Sequence, residues 1–170
     1  MNATRSSPAP FLLVCDEMLI RLCRWVRAAG HDCVMLPAGS ADREIINLAR
    51  QESRLILTRD RQFLNYRNAE GRVIFLHTQE LDAQAQELSR ALPIDWLYRP
   101  FSRCLVCNAP LVLAGQEQRR LLRLQLRDDE DLWTCPGCHR NYWAGSHVKR
   151  MQLRLAGWKQ TADLSGKYGE

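Results

Sequence analysis

No stretch of this 170-residue chain approaches the roughly 18 consecutive apolar residues that a membrane-spanning helix needs. Met1 to Pro10, rich in serine, proline and alanine, also lacks the hydrophobic region of a signal peptide. The expectation is a cytoplasmic protein with no membrane partner, opening on a disordered tail over residues 1–10. Glycine-rich phosphate loops of the nucleotide-binding type are missing too. A strong charge of either sign is absent: the net charge is +5, with a pI near 9.0. That small excess is uneven, with 13 lysines and arginines against 12 acids in residues 1–100 and 11 against 7 in residues 101–170. A basic C-terminal part points to a polyanionic partner such as nucleic acid, although a balance this mild also occurs in proteins that bind none.

What is present divides the chain in two. Its length suits one domain of ordinary size followed by a small module that needs help to fold. In the first part, Phe11 to Cys15 runs straight into Asp16 and Glu17, and Leu55 to Thr58 runs through Arg59 into Asp60. Continuous apolar runs suit strands covered on both faces, as in a parallel sheet. Ligands of open α/β sheets gather beyond the carboxyl ends of such strands, so neighbouring strands would bring Asp16 and Asp60 together. Carboxylates held close need a cation, and Mg²⁺ or Mn²⁺ prefers their oxygen.

Between these strands, Met18, Leu22, Trp25, Val26 and Ala29 recur at helical spacing, and Gly30 is placed to stop the helix. Arg21, Arg24 and Arg27 fall three apart on it, a basic face that reads either as solvated surface or as phosphate contact beside the acids. His31 to Leu36 reads as a second strand. Asp42 opens the next helix, as a plain N-cap or as a third acid on the rim. A short helical segment over 61–66, a strand over 72–76 and a helix over 80–92 complete an alternation that argues βαβ units.

Pro93 to Pro100 reads as a linker, after which the chemistry changes. Cys104, Cys107, Cys135 and Cys138 form two C-x-x-C pairs 27 residues apart, and soft sulfur in this pattern suits tetrahedral Zn²⁺. A redox role competes, but neither pair opens a helix in a βαβ unit; His139 and His147 are alternative ligands. Leu111 to Ala114 and the alternation Leu122 to Leu126 fit strands of a ribbon around the metal. Tyr142 and Trp143, next to Lys149, Arg150 and Arg154, suit stacking on single-stranded bases or simply cap the ribbon. Val148, Met151 and Leu155 are the inward side of a short helix there, and residues 158–170 read as a flexible tail. Cys15, Cys23 and Cys33 read as buried free thiols.

With these residues laid out, the chain resembles the Mut-seven C-terminal RNase domain family, a PIN-like nuclease fold followed by a zinc ribbon. The likeness covers about residues 11 to 156 and rests on five stretches: Asp16 to Arg27 (DEMLIRLCRWVR), Asp42 to Glu44 (DRE), Leu57 to Asp60 (LTRD), the cysteine pairs with Asn108, and Tyr142 to His147 (YWAGSH). Ile20 stands where that family favours glycine. The resemblance implies an α/β, three-layer, PIN-like domain over residues 11–98 with a mainly parallel sheet, then a zinc ribbon with a C-terminal helix over 99–157. It implies a divalent-metal-dependent ribonuclease with Asp16, Asp42 and Asp60 as catalytic acids holding Mg²⁺ or Mn²⁺, and Glu44 or Glu17 as a further acid. Arg59 and the first-helix arginines would hold phosphates of a single-stranded or structured RNA. A non-catalytic RNA-binding protein on the same scaffold is the alternative.

Overall fold

The computed structural model describes residues 9–121 and 131–167. The expected strand at Leu122 to Leu126 and most of the expected N-terminal tail lie outside those residues.

The apolar runs form a four-stranded, wholly parallel sheet from β1 (Leu12–Cys15), β2 (Asp32–Met35), β3 (Leu55–Thr58) and β4 (Val73–Phe75), in the order β2-β1-β3-β4. Leu13 pairs with Cys33 on one side and with Leu55 on the other. Successive residues of a strand face opposite ways, and the two faces carry separate cores. Leu13, Cys15, Cys33 and Leu57 pack with Leu22 and Val26 of α1 (Ile20–Ala28) and with Ala85 and Leu88 of α3 (Leu81–Ala91). Val14 and Ile56 pack with Ile45, Ile46 and Ala49 of α2 (Asp42–Gln51) and with Phe63. Each fully buried leucine or valine contributes about 1.5–3 kcal/mol over an exposed one, which makes both faces worth covering. A single turn of 3-10 helix (Glu17–Leu19) leads into α1, and two more (Arg61–Asn65 and Arg67–Ala69) take the place of a full crossover helix between β3 and β4.

The chain leaves β1 toward β2 on one side and returns to β3 on the other. The carboxyl ends of β1 and β3 therefore flank the point where strand order reverses, which is where open α/β sheets form their crevice.

Residues 93–100, expected as a linker, are packed instead. Trp96 is fully buried, donates through its indole N–H to Ser89 Oγ (2.8 Å), and sits edge-on to Trp158 with ring centres 4.8 Å apart. The backbone N–H groups of Arg99 and Phe101 donate to the carbonyls of Ala29 and Ala28. Gly30 makes this docking feasible. It adopts φ +98°, and a Cβ there would lie 2.4 Å from the carbonyl oxygen of Arg99, an overlap that no side chain escapes.

The second part holds a small antiparallel sheet of β5 (Val112–Leu113), β6 (Leu132–Thr134) and β7 (Asn141–Trp143), with a short α4 (Gln116–Leu121) after β5. The closing helix, α5, runs Ser146–Lys167, so the tail expected from residue 158 is helical through Lys167. Trp158 is the reason. It lies one further turn along the stripe of Met151 and Leu155, is 6% exposed, and packs with both in the core that contains α1 and α3. Its indole N–H donates to Asp82 (2.8 Å), which also receives a bidentate pair from Arg154.

Candidate functional site

Asp16 follows the last residue of β1 and is 9% exposed. Its backbone N–H donates to the Leu57 carbonyl, and its Oδ2 accepts from the Thr58 hydroxyl at 3.0 Å. The same hydroxyl oxygen accepts from the backbone N–H of Asp60 at 2.9 Å. Thr58 thus ties Asp16 to Asp60 across the β1–β3 boundary. Asp60 in turn accepts from the Gln62 N–H (2.8 Å) and so caps the 3-10 turn that begins at Arg61. Asp42 is the first residue of α2 rather than its cap, which is Ala41, and Asp42 Oδ2 accepts from the Tyr66 hydroxyl at 3.3 Å. All three acids are therefore stitched to one segment, Thr58 to Tyr66.

Sequence reasoning passed over Thr58 and Tyr66. Thr58 belongs to the LTRD stretch, but a role for it needs β1 and β3 to be neighbours.

Stitching is not convergence. Among the described residues, the sets of three or more cysteine, histidine or acidic side chains with donor atoms mutually within 4.8 Å are two cysteine clusters, and Asp16, Asp42 and Asp60 do not form another. In kind the acids suit a hard divalent ion; in this arrangement one ion does not reach an oxygen of all three. The additional acids are engaged locally. Glu17 accepts from the Gly39 N–H (3.1 Å), and Glu44 accepts from the Ala41 N–H (3.0 Å), the half of a capping box open to a helix whose N-cap is alanine.

The basic residues separate. Arg21 and Arg24 are exposed. Arg59 precedes Asp60 in the chain, and its Nε is buried without a hydrogen-bond partner. Arg27 corrects the expected basic face. It is 5% exposed, and its guanidinium donates to the carbonyls of Cys33 (2.7 Å), Leu105 (3.1 Å) and Val106 (2.7 Å). It fastens the first cysteine knuckle to β2, and at this burial it offers phosphate little surface. Ile20, 45% exposed at the start of α1, alters no core packing.

The four knuckle sulfurs lie mutually within 4.8 Å. The two knuckles repeat one backbone design. Cys107 N–H points at Cys104 Sγ and Cys138 N–H at Cys135 Sγ, each at 3.4 Å. Asn108 and His139 then turn the chain with φ of 72° and 58°, and their N–H groups close on the carbonyls of Cys104 and Cys135. Asparagine and histidine are among the residues that tolerate this left-handed conformation, so His139 serves the turn and is not a ligand in the cluster. Burial pushes the Cys104 thiol up, but the Cys107 N–H, the Tyr142 hydroxyl and the Val106 N–H bring it down to about 6. Burial and hydrogen bonds with its neighbouring sulfurs raise Cys107 to about 12. A soft cation that binds here joins sulfur as thiolate and displaces the remaining thiol protons to solvent. Tyr142 supports the cluster from outside, with its hydroxyl 3.1 Å from Cys104 Sγ.

A groove of about 1000 Å³ opens between the 98–103 segment and the ribbon, lined by Tyr98, Arg99, Phe101, Trp133, Trp143 and His147 among others. Pro10 and Gly30, which precede β1 and β2, border it, so it lies toward the amino ends of the strands, away from the acids.

Residues 12–155 match the family described as the Mut7-C RNAse domain. The chain is 36% identical over 103 residues to the human protein named exonuclease mut-7 homolog, a match covering 58% of this chain and 12% of the human protein. No solved structure matches. No helix among the described residues is long and apolar enough to cross a membrane.

Proposed function

Because the chain belongs to the Mut7-C RNAse domain family, which with its human relative supports a nuclease-like function, we propose that it hydrolyses phosphodiester bonds of RNA at the rim of Asp16, Asp42 and Asp60. The observation that carries the reading is the Thr58 hydroxyl joined to both Asp16 and Asp60 at the switch point of the sheet. A four-stranded parallel sheet with helices on both faces accords with a PIN-like scaffold. A catalytic Mg²⁺ or Mn²⁺ keeps several waters and takes only one or two carboxylates directly, which agrees with acids that are linked but not gathered. Asp16, Asp60 and Asp42 are the residues that would hold the ion; when bound it would supply an activated water and stabilise the leaving oxygen. Thr58 keeps the Asp16 carboxylate turned toward the rim. Arg59, half-buried beside Asp60 in the chain, would hold a phosphate there, and the exposed Arg21 and Arg24 would hold the RNA further along α1. The cysteine knuckles would hold one structural Zn²⁺, whose closed set of four sulfurs leaves no position for substrate.

A second reading, a non-catalytic RNA-binding protein, is favoured by the aromatic groove, whose rings and Arg99 suit stacked bases. One experiment separates the two. Wild type, Asp16→Asn and Asp60→Asn are titrated with Mg²⁺ and Mn²⁺ on end-labelled single-stranded RNA, with binding and cleavage read in the same samples. The enzyme cleaves only with metal, and each variant loses about 10²-fold or more of the rate. Three acids facing phosphate repel it, so Asp60→Asn also binds RNA more tightly without metal. Binding without cleavage in both metals selects the second reading, and equal cleavage by all three proteins overturns the acid rim.

A further inference from the structure

The second cluster of potential ligands is not part of that reading. Cys15 from β1, Cys23 from α1 and Cys33 from β2 converge so that their sulfurs lie mutually within 4.8 Å. Cys15 and Cys33 approach to 3.3 Å, and Cys23 Sγ lies 3.6 Å from the Cys33 carbonyl oxygen. The strand register explains the meeting. Cys33 pairs with Leu13 and Cys15 with Met35, so the two are diagonal neighbours on one face, the face that α1 covers.

We propose that Cys15, Cys23 and Cys33 form a second metal site, all-sulfur and three-coordinate, that takes a soft monovalent ion of the Cu(I) class one residue before Asp16. The choice of ion follows from the donors. No carboxylate or imidazole joins the group, and the three cysteines are 0–1% exposed, which excludes hard ions that need oxygen or retained water. Structural zinc takes four protein ligands, and the cluster offers three. Thiolate is the softest donor available and selects Cu(I).

Charge is provided for. The Arg27 guanidinium, buried and 2.7 Å from the Cys33 carbonyl, sits beside the cluster. Each Cu–S bond formed from a thiol releases one proton to solvent.

The test uses the full zinc-loaded chain, incubated without oxygen with Cu(I) buffered by a chromophoric chelator and then desalted. Copper and zinc are measured in the same sample. The expected result is about one Cu(I) per chain with zinc undiminished, a raised Tm from ligand linkage, and at least a tenfold lower copper content in the Cys23→Ala/Cys33→Ala variant at equal zinc. Equal copper in that variant, no uptake by wild type, or copper gained in step with zinc lost would each overturn the site. Should the variant not fold, X-ray absorption at the copper edge of the loaded wild type decides: three sulfur neighbours with zinc retained support the site, and nitrogen or oxygen neighbours overturn it.

Discussion

The cysteine knuckles and the three acids are both sets of side chains of a kind that can ligate metal, drawn from distant parts of the chain, yet only the knuckles are closed. Their sulfurs meet within 4.8 Å because each sits in a backbone loop whose own N–H groups and left-handed turn residue fix it. The acids stand at the first residues after strands or at a helix start, and side chains position them, Thr58 for Asp16 and Tyr66 for Asp42. A site fixed by backbone suits an ion that must hold a fold together. One fixed by a hydroxyl suits an ion that must admit water and substrate.

The largest effect expected from that contrast comes from breaking the closed set. In Cys135→Ser three sulfurs remain for an ion that needs four, and structural zinc contributes about 10–16 kcal/mol to folding in isolated finger peptides. Zinc should fall from about one per chain to a small residue, and limited proteolysis should cut within residues 101–145 while β1 to β4 stay protected. Unchanged zinc content and unchanged proteolytic resistance would show that the knuckles hold no structural ion.

Much of this was legible in the sequence, and the misreadings share a cause. The runs at Leu12 and Leu55, the helical stripes of α1 to α3 and the two cysteine pairs carry their signals within a few residues, and their boundaries came out close. Arg27 was read onto the face of Arg21 because the spacing is three and three. A helix turns about 100° per residue, so six residues leave Arg27 about 120° away, on the side facing β2. Trp158 was read into a tail although it continues the stripe of Met151 and Leu155 by one more turn. Thr58, Asn108 and the meeting of Cys15, Cys23 and Cys33 depend on which strands are neighbours, and no local pattern contains that.

A smaller effect sharpens the rim. Thr58→Val keeps shape and β propensity but removes the group that joins Asp16 to the Asp60 N–H. Losing a partner that orients a metal-holding side chain typically costs 10–100-fold, or about 1.4–2.7 kcal/mol in the barrier. RNA cleavage should drop by about that factor with zinc content untouched, and Thr58→Ser, which restores the hydroxyl, should recover most of it. Cleavage by Thr58→Val at the wild-type rate would mean that the hydroxyl does not set the site.

The smallest effect concerns Asp32, a carboxylate that belongs to the knuckle side of the comparison although it opens β2. It accepts from Arg54 (2.6 Å) and from the side-chain amide of Asn108 (2.9 Å), and it pairs with Arg103 (3.2 Å). Asn108 and Arg103 flank the first knuckle, so this one side chain, with Arg27, docks the ribbon on the sheet. Burial alone would raise its carboxyl, but the hydrogen bonds from Arg54 and Asn108 and the charge of Arg103 prevail and hold it below the usual aspartate range. A carboxyl whose pKa is lowered by folding stabilises the fold at pH above its unfolded value, about 3.9, and that stabilisation is lost as pH falls through the folded pKa. Zinc ligands are protonated in the same acid range, so the wild-type curve alone does not isolate Asp32. The difference between wild type and Asp32→Asn does, because both lose zinc alike. Asp32→Asn should melt lower than wild type near neutral pH, and the gap should close as pH drops below about 4. Parallel melting curves across that window would mean that the docking rests on Arg27 and not on the charge of Asp32.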